Sequence, residues 1–101
     1  MPLLSILVPA RNEEQCIESC IRSLVAQDYE RLEVLVLDDQ STDATATIVE
    51  GIIAALPEKQ QGRLRLFHGK ELPQGWVGKN FACHQLAQHA SGGYLLFTDA
   101  D

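Results

Sequence analysis

The chain has 101 residues, 46% of them apolar, which is enough for one domain with a continuous core. Its formal net charge of −6 argues against a nucleic acid or an anionic membrane surface as partner, because both attract basic patches. The sequence contains no apolar run long enough to cross a bilayer, and its first residues lack the basic region typical of a signal peptide. We therefore expect a soluble, cytoplasmic polypeptide.

The first predicted strand covers residues 3–8, which are apolar and include β-branched side chains. It is expected to end at Pro9, since proline cannot donate a hydrogen bond to a sheet ladder. A short loop leads to the first helix, which is predicted to begin at Glu13 and Glu14 because acidic side chains suit the first turn. Apolar residues spaced by three and four continue this helix to about residue 26.

The second predicted strand is the apolar run at residues 32–37. Ser41 or Thr42 is predicted to cap a second helix, which Pro57 ends. A polar loop then leads to residues 63–67, where polar and apolar side chains alternate. This alternation predicts a half-exposed third strand at a sheet edge.

Residues 68–78 contain three glycines and a proline and are predicted to form an irregular loop. The third helix is expected to start near Lys79 and to end at the Ser-Gly-Gly sequence of residues 91–93, where glycine can adopt the left-handed capping conformation. Strands and helices therefore alternate in the order βαβαβαβ. This order predicts an α/β fold with a mainly parallel four-stranded sheet flanked by helices.

The fourth predicted strand, residues 94–97, consists of four large apolar side chains and is expected to be buried on both faces of the sheet. Asp99 and Asp101 follow at the point where this strand ends. Carboxylates this close together can share one cation, and hard divalent ions take carboxylate, phosphate and water oxygens as ligands. The sequence therefore predicts a metal-phosphate site at Asp99 and Asp101.

All strands of a parallel sheet end at the same edge, where open α/β sheets bind ligands. The segments that follow the four predicted strands begin with Pro9, Asp38, His68 and Asp99. Three of these four segments carry charged or hydrogen-bonding side chains after strands that are almost free of them. The pattern favours a ligand site at this edge over a solvated rim.

Four kinds of ligand site are candidates for such an edge. A P-loop is excluded because Pro73 and Asn80 occupy positions that require Gly and Ser or Thr, and a dinucleotide-binding turn is excluded because no glycine follows the first strand. A phospho-receiver domain normally carries its acidic pair after the first strand, whereas Asp38 and Asp39 follow the second, so this alternative stays open but is weaker. The fourth is a nucleotide-diphosphate-sugar site, with base and ribose across the first two strand ends and a metal-bound pyrophosphate at the fourth.

Three stretches carry a resemblance to a known family: Ser5-Ile-Leu-Val-Pro-Ala-Arg-Asn-Glu13, Val36-Leu-Asp-Asp-Gln-Ser-Thr-Asp43 and Gly92-Gly-Tyr-Leu-Leu-Phe-Thr-Asp-Ala-Asp101. Their order and spacing resemble the N-terminal, nucleotide-binding half of family 2 glycosyltransferases, which have the Rossmann-like GT-A fold. The loop Leu72-Pro-Gln-Gly-Trp-Val-Gly-Lys-Asn80 further resembles the branch that includes hopanoid-associated and carotenoid glycosyltransferases. The resemblance makes residues 1–101 the nucleotide-sugar-binding portion of such a domain.

The resemblance implies a set of residues that contact the nucleotide: Pro9, Ala10, Arg11, Glu13, Asp38, Asp39, Lys79 and Asp99. The residues after the first strand would surround the uracil and ribose of a UDP-sugar. Asp39 would accept a hydrogen bond from the N–H of the base. Asp38 would brace the loop, or serve only as a turn acceptor. Lys79, at a helix start, would contact the pyrophosphate or the ribose. Trp76 would line the sugar pocket or simply pack its loop onto the domain.

The same resemblance makes Asp99 and Asp101 the acidic residues of a DxD motif that holds Mg²⁺ or Mn²⁺ against the two phosphates. The metal would neutralise the charge that develops on the UDP leaving group. Asp101 would be the direct ligand, and Asp99 would contact the ribose or a metal-bound water. Transfer would be inverting. The family's general base and acceptor-binding half lie beyond this motif, so we expect these 101 residues to bind nucleotide without catalysing transfer.

The implied partners are a UDP-sugar or another nucleotide-diphosphate sugar and an acceptor of the lipid or polyisoprenoid type. The whole protein would associate with the cytoplasmic face of the membrane through segments outside these residues. We also expect self-association through an open edge of the fourth strand. The alternative to an enzyme is a non-catalytic binding or interaction module that keeps the nucleotide fold.

Overall fold

The structure, a computed structural model, describes residues 2–100. Its elements are, in order, β1 (Leu4–Ala10), α1 (Ile17–Val25), β2 (Leu32–Asp38), α2 (Thr45–Ala55), a 3-10 helix (Glu58–Arg63), β3 (Leu64–His68), α3 (Gly78–His89) and β4 (Tyr94–Phe97). The predicted alternation of strands and helices is confirmed, and the 3-10 helix replaces the predicted polar loop. Within residues 2–100, no helix is long and apolar enough to cross a membrane.

The four strands form one sheet in the order β3-β2-β1-β4, and each neighbouring pair is parallel. The predicted parallel α/β architecture is therefore confirmed, as is the position of β3 at a sheet edge. Strand β1 lies between β2 and β4, with Leu4 paired to Leu32 on one side and to Tyr94 on the other. The amino end of the chain thus supplies the centre of the sheet.

Helices cover the two faces of the sheet because side chains of a strand alternate between faces. Ile6 and Val8 of β1 pack in one core cluster with apolar residues of α1 and α2. Leu7 of β1 packs in a second cluster with Ala82 and Leu86 of α3. Helices α1 and α2 therefore cover one face, and α3 covers the other.

The order of the strands reverses at β1. Strands β2 and β3 follow one another on one side of β1, whereas β4 lies on the other side of β1. The helices on the two sides of such a reversal cover opposite faces, which leaves a crevice outside the carboxyl ends of β1 and β4. Open α/β sheets bind their ligands in this crevice.

Strand β4 corrects one prediction. It was expected to be buried on both faces, but Tyr94, Leu95, Leu96 and Phe97 are 62%, 46%, 50% and 49% exposed. The reason is its place at the sheet edge, where it pairs only with β1 and lies beyond the part of the sheet that the helices cover. The run of four apolar residues correctly predicted a strand, but the prediction that this strand is buried was wrong.

Strand β1 continues through Pro9 to Ala10, beyond the predicted end. The Leu7 carbonyl accepts a hydrogen bond from the Thr98 N–H on the β4 side, and by alternation Pro9 faces the same side. Pairing with β4 ends at Phe97, opposite Leu7, so the missing N–H of Pro9 interrupts no ladder bond.

Two helices begin later than predicted. Helix α1 starts at Ile17 instead of Glu13 and Glu14, and α2 starts at Thr45 after Ala44, so neither Ser41 nor Thr42 is its cap. In both cases the residues expected to start the helix make hydrogen bonds to the other loop, 29 to 32 residues away. Tertiary partners have replaced the local capping interactions.

We expect the chain to self-associate through β4, since its free edge and exposed apolar side chains offer a template for a second strand. Leu95→Lys should shift the equilibrium towards monomer, because a charge on an edge strand opposes pairing. Size-exclusion chromatography with light scattering over a dilution series measures the effect. Val77→Lys is the matched control, since Val77 is 65% exposed but lies outside the strand. A monomer at every concentration, or equal effects of the two substitutions, would contradict this prediction.

Candidate functional site

A cleft of about 350 Å³ opens at the carboxyl ends of β1 and β4, at the crevice created by the strand reversal. Its lining includes Pro9, Ala10, Arg11, Glu13, Asp39, Lys79 and Asp99. Of the residues predicted to contact a nucleotide, only Asp38 is outside this set. The lining also includes Gly78, Ala82 and Ala100, which the sequence had not indicated. These three are small residues, so they shape the cleft without adding charge.

The two aspartates after β2 have different environments. Asp38 is buried, with 6% of its surface exposed, and lies behind the cleft. Its Oδ1 accepts a hydrogen bond from the Ser41 N–H at 3.2 Å, and its Oδ2 lies 3.7 Å from Nδ1 of His68. Asp39 lines the cleft, and its N–H donates to the Ala10 carbonyl at 2.8 Å. Asp38 therefore holds the turn that presents Asp39.

Gly69, in the loop after β3, contacts the backbone of both aspartates. The Gly69 N–H donates to the Asp38 carbonyl at 2.9 Å. A Cβ on Gly69 would lie 3.1 Å from Oδ1 and 3.3 Å from Cα of Asp39. Close approach of this backbone restricts where the Asp39 side chain can lie, and a glycine permits it.

The loops after β1 and β2 are joined by a set of hydrogen bonds that we call the inter-loop network. In the first loop its members are Asn12, Glu13 and Glu14, and in the second they are Ser41, Thr42, Asp43, Ala44 and Thr45. Asn12 N–H donates to Ser41 Oγ at 2.9 Å, and Thr42 N–H donates to Asn12 Oδ1 at 2.8 Å. Glu13, Glu14 and Ala44 contribute further bonds through their N–H groups, to Thr45 Oγ1 at 2.9 Å, Asp43 Oδ2 at 3.2 Å and Glu14 Oε2 at 3.1 Å.

Asp43 is charged within this network at neutral pH. Hydrogen bonds from Thr45, chiefly from its hydroxyl, hold the pKa of the Asp43 carboxyl below its ordinary value, against the opposing effect of desolvation. A depressed carboxyl pKa stabilises the fold above the pKa of the unfolded chain, and this contribution is lost as the pH falls through the folded pKa. At neutral pH the Asp43 carboxylate therefore accepts from Thr45 in its own loop and from the Glu14 N–H of the other loop.

At the other end of the cleft, Lys79 of α3 and Asp99 after β4 form an ion pair between Nζ and Oδ1. Their side chains are 62% and 60% exposed, so this pair contributes at most about 1 kcal/mol and can separate at little cost. The backbone of this segment is fixed by other bonds: Thr98 N–H donates to the Leu7 carbonyl, and Cys20 Sγ lies 3.6 Å from the Asp99 carbonyl. The carboxylate is thus positioned while its charge remains accessible.

Cys83 lies one turn of α3 beyond Lys79 and borders a second cavity of about 360 Å³ together with Phe97. Burial raises the pKa of the Cys83 thiol, an effect that the nearby Lys79 opposes and Asp99 reinforces. The thiol is therefore protonated at neutral pH, which argues against a nucleophilic role.

Trp76 is absent from the cleft lining and is 42% exposed. Its ring packs on the outer side of α3, with centroids 5.3 Å from Phe81 and 5.1 Å from His84. Of the two roles considered for this residue, the structure favours packing of the loop onto the domain.

A metal at this site would rest on Asp99 and on Asp101, which lies outside the described residues. Residues 2–100 contain no group of three or more His, Cys, Asp and Glu side chains arranged to hold a metal ion. Asp99 nevertheless supplies an accessible carboxylate beside an ammonium group, and this combination suits a cation that arrives together with phosphate oxygens.

Comparison with known proteins identifies a family and its relatives. A model of the family described as Glycosyl transferase family 2 matches residues 5–101. The GalNAc(5)-diNAcBac-PP-undecaprenol beta-1,3-glucosyltransferase of Campylobacter jejuni is 35% identical over 102 residues, which cover 100% of this chain and 30% of that protein. The 4,4'-diaponeurosporenoate glycosyltransferase of Staphylococcus aureus is 35% identical over 98 residues, or 97% of this chain and 24% of that protein. The chain therefore spans less than a third of either relative.

Solved structures of glycosyltransferases are also similar to this chain. The mannosyltransferase PcManGT from Pyrobaculum calidifontis, in complex with GDP-Man and Mn²⁺, has a TM-score of 0.83 and 32% identity, covering 99% of this chain and 28% of that chain. The glucosyl-3-phosphoglycerate synthase from Mycobacterium tuberculosis, in complex with Mn²⁺, UDP and phosphoglyceric acid, has a TM-score of 0.75 and 30% identity, covering 99% of this chain and 33% of that chain. The predicted fold is confirmed by both.

Proposed function

The chain belongs to glycosyl transferase family 2, and from this membership we propose that it forms the part of a metal-dependent, inverting glycosyltransferase that binds a nucleotide-diphosphate sugar, specifically a UDP-sugar. The cleft at the strand reversal carries this proposal. It places an acidic and polar wall, with Glu13 and Asp39, opposite the Lys79 and Asp99 pair. The first wall offers hydrogen-bond acceptors for a nucleoside, and the second offers an ammonium group for a pyrophosphate.

The nucleoside would lie at the first wall. Pro9, Ala10, Arg11 and Glu13 would surround the uracil and ribose, and Asp39 would accept the hydrogen bond of the base N–H. The nucleotide-binding role predicted for Asp38 becomes indirect in this proposal, since its buried carboxylate holds the turn that presents Asp39.

The pyrophosphate would lie at the second wall. Lys79 would exchange its contact with Asp99 for a phosphate oxygen, at small cost because both side chains are exposed. The N–H groups at the start of α3 favour the same negative charge. Asp99 and Asp101 would hold Mg²⁺ or Mn²⁺. When bound, the metal supplies Lewis-acid neutralisation of the phosphate charge.

The acceptor proposed for the whole protein is a lipid or polyisoprenoid-type molecule. The support comes from the Campylobacter jejuni relative, whose name specifies a substrate linked to undecaprenol through a pyrophosphate. With such an acceptor, the whole protein would act at the cytoplasmic face of a membrane. The acceptor site and the general base would lie in the remainder of the protein, so residues 1–101 alone would bind the donor without transferring its sugar.

Titration of the chain with UDP, in the presence and absence of Mn²⁺, tests the proposal. Calorimetry should show binding that Mn²⁺ strengthens, and NMR should show shifts of the Asp39, Lys79 and Asp99 amides. The proposal fails if UDP produces no heat and no shifts at these amides. Binding of UDP with no dependence on metal would instead favour the alternative of a non-catalytic nucleotide-binding module.

Lys79→Gln should weaken UDP binding about tenfold and leave uridine binding unchanged, because the substitution removes a charge-assisted bond to phosphate alone. Calorimetric titration with both ligands measures the difference. Lys59→Gln is the matched control, since Lys59 is exposed on the 3-10 helix and is not in the cleft lining. An equal loss for UDP and uridine would show that Lys79 does not contact the pyrophosphate.

A further inference from the structure

Asn12 occupies an uncommon backbone conformation inside the inter-loop network. Its φ is 52°, and Gln40 in the partner loop has a φ of 58°. Residues 2–100 contain no other non-glycine residue with positive φ. Left-handed backbone is costly for residues with a side chain, and Asn tolerates it better than most. Each loop of the network thus holds one strained residue beside the cleft.

The side chain of Asn12 uses this conformation to reach the other loop. Its Oδ1 accepts from the Thr42 N–H at 2.8 Å and from the Thr42 hydroxyl at 3.4 Å, while its own N–H donates to Ser41 Oγ at 2.9 Å. Glu14 makes a second pair of this kind, donating through its N–H to Asp43 and accepting through its side chain from the Ala44 N–H, but its partners lie farther along the second loop from Asp39 than Ser41 and Thr42 do.

The position of Asn12 gives these bonds their significance. It lies between Arg11 and Glu13, both of which line the cleft, and is itself absent from the lining. Ser41 and Thr42 closely follow Asp39, the lining residue of the second loop. Asn12 therefore ties the Arg11–Glu13 segment to the second loop close to Asp39, in addition to the bond from the Asp39 N–H to the Ala10 carbonyl.

We propose that Asn12 is a positioning residue, which holds the Arg11–Glu13 segment at a fixed separation from Asp39 so that the cleft is formed before the nucleotide arrives. This inference rests on the proposed nucleotide-binding function and extends it to a residue that does not touch the ligand. A site that is already formed avoids the entropic cost of ordering loops on binding. Release of the tie should therefore appear as lost affinity.

Asn12→Gly is the informative substitution. Glycine adopts a φ of 52° without steric cost, so the backbone conformation remains available while the amide oxygen is lost. The lost hydrogen bond and the relieved strain are similar in size and opposite in sign, so the urea midpoint of unfolding should change little. UDP affinity should fall about tenfold. A residue with a purely structural role would show the reverse pattern, a lower midpoint with unchanged affinity.

Two further variants control the experiment. Gln40→Gly relieves the same kind of strain in the partner loop, where the side chain is exposed, and should retain wild-type affinity. Asn12→Asp keeps an acceptor oxygen and tolerates left-handed backbone, so it should restore most of the affinity that glycine loses. The inference is overturned if Asn12→Gly binds UDP as the wild type does, or if Gln40→Gly loses as much affinity.

Hydrogen exchange in the absence of nucleotide separates this inference from the proposed function. The Thr42 and Asp39 amides should exchange faster in Asn12→Gly than in the wild type, because the loops are no longer joined at this point. If the wild type fails to bind UDP, the proposed function is wrong, and the exchange rate of the Asp39 amide alone then tests the positioning role. Unchanged exchange at both amides would overturn it.

Discussion

Replacement of Gly92 by alanine is expected to destabilise the fold by about 2–4 kcal/mol, a large part of the 5–15 kcal/mol typical of a single domain. Gly92 lies between α3 and β4, and a Cβ there would lie 2.5 Å from Ser5 Oγ and 2.6 Å from the Leu3 carbonyl oxygen. Neither atom belongs to a flexible chain end, so the backbone would have to move. Urea denaturation followed by circular dichroism measures the loss.

The expected cost is large because Gly92 is part of a buried polar network. Its N–H donates to Ser5 Oγ at 2.9 Å, and the Ser5 hydroxyl donates to Oε2 of Glu33 at 2.5 Å. The Ser91 N–H donates to the same carboxylate oxygen at 2.8 Å. Glu33 is only 8% exposed, so displacement of the 91–92 segment would leave a buried carboxylate without its donors.

Gly93→Ala is the matched control for this experiment. A Cβ at Gly93 would have no atom within 4 Å, although the residue is adjacent in sequence and in the same connection. Its substitution should change the free energy of unfolding by less than about 0.5 kcal/mol. Equal urea midpoints for the two variants would mean that the contacts at Gly92 do not limit stability.

Asp39→Ala is expected to weaken UDP binding about tenfold to 100-fold, because a hydrogen bond to a charged acceptor contributes about 1.5–3 kcal/mol. The expectation follows from the proposed contact between this carboxylate and the N–H of uracil, and from the place of Asp39 in the cleft lining. Calorimetric titration with UDP measures the loss. Asp28→Ala, at an exposed position in the loop before β2, is the control for a change of charge.

Base specificity gives a sharper version of this test. Cytosine presents an acceptor where uracil presents the ring N–H, so the wild type should prefer UDP to CDP. Asp39→Ala should reduce this preference together with the affinity for UDP. If the variant kept the full preference, Asp39 would not be the group that recognises the base, whatever its effect on affinity.

The fold could be predicted from the sequence because three strands are short apolar runs, the other alternates polar and apolar residues, and each is followed by a turn or loop. The site could be predicted for a related reason. Parallel strands end at one edge, so residues at or just beyond the strand ends, such as Pro9, Asp39 and Asp99, must lie near one another whatever the details of the loops. The structure places all three in the lining of one cleft.

The parts that could not be predicted depend on contacts between distant segments. Glu13 and Glu14 have the composition of a helix start, but their N–H groups donate to Thr45 and Asp43, which no local pattern reveals. The presence of Asn in the loop after β1 was the one available signal for the inter-loop network, since Asn is favoured where a left-handed residue is needed. Its partner, Thr42, could not have been identified from spacing.

The environment of β4 was mispredicted for a different reason. Its apolar composition is that of a central strand buried on both faces, but composition does not show which strands and helices lie beside it. Here Leu95 and Phe97 lie at the edge with about half of their surface exposed. The neighbours of a strand depend on its position in the sheet order, and this position cannot be predicted from the residues of the strand alone.

The return of β4 to the side of β1 has a consequence for the order of assembly. Pairing of Leu4 with Tyr94 and of Leu7 with Phe97 joins residues almost the whole chain length apart, whereas β1 pairs with β2 and β2 with β3, each the next strand along the chain. Closing so long a loop is entropically unfavourable until other contacts compensate, so β4 should dock late in folding. The wall of the cleft that carries Asp39 would then be complete while the wall that carries Asp99 is still absent. A nucleoside would meet its binding surface on a folding intermediate, and a pyrophosphate would meet its own only on the native state.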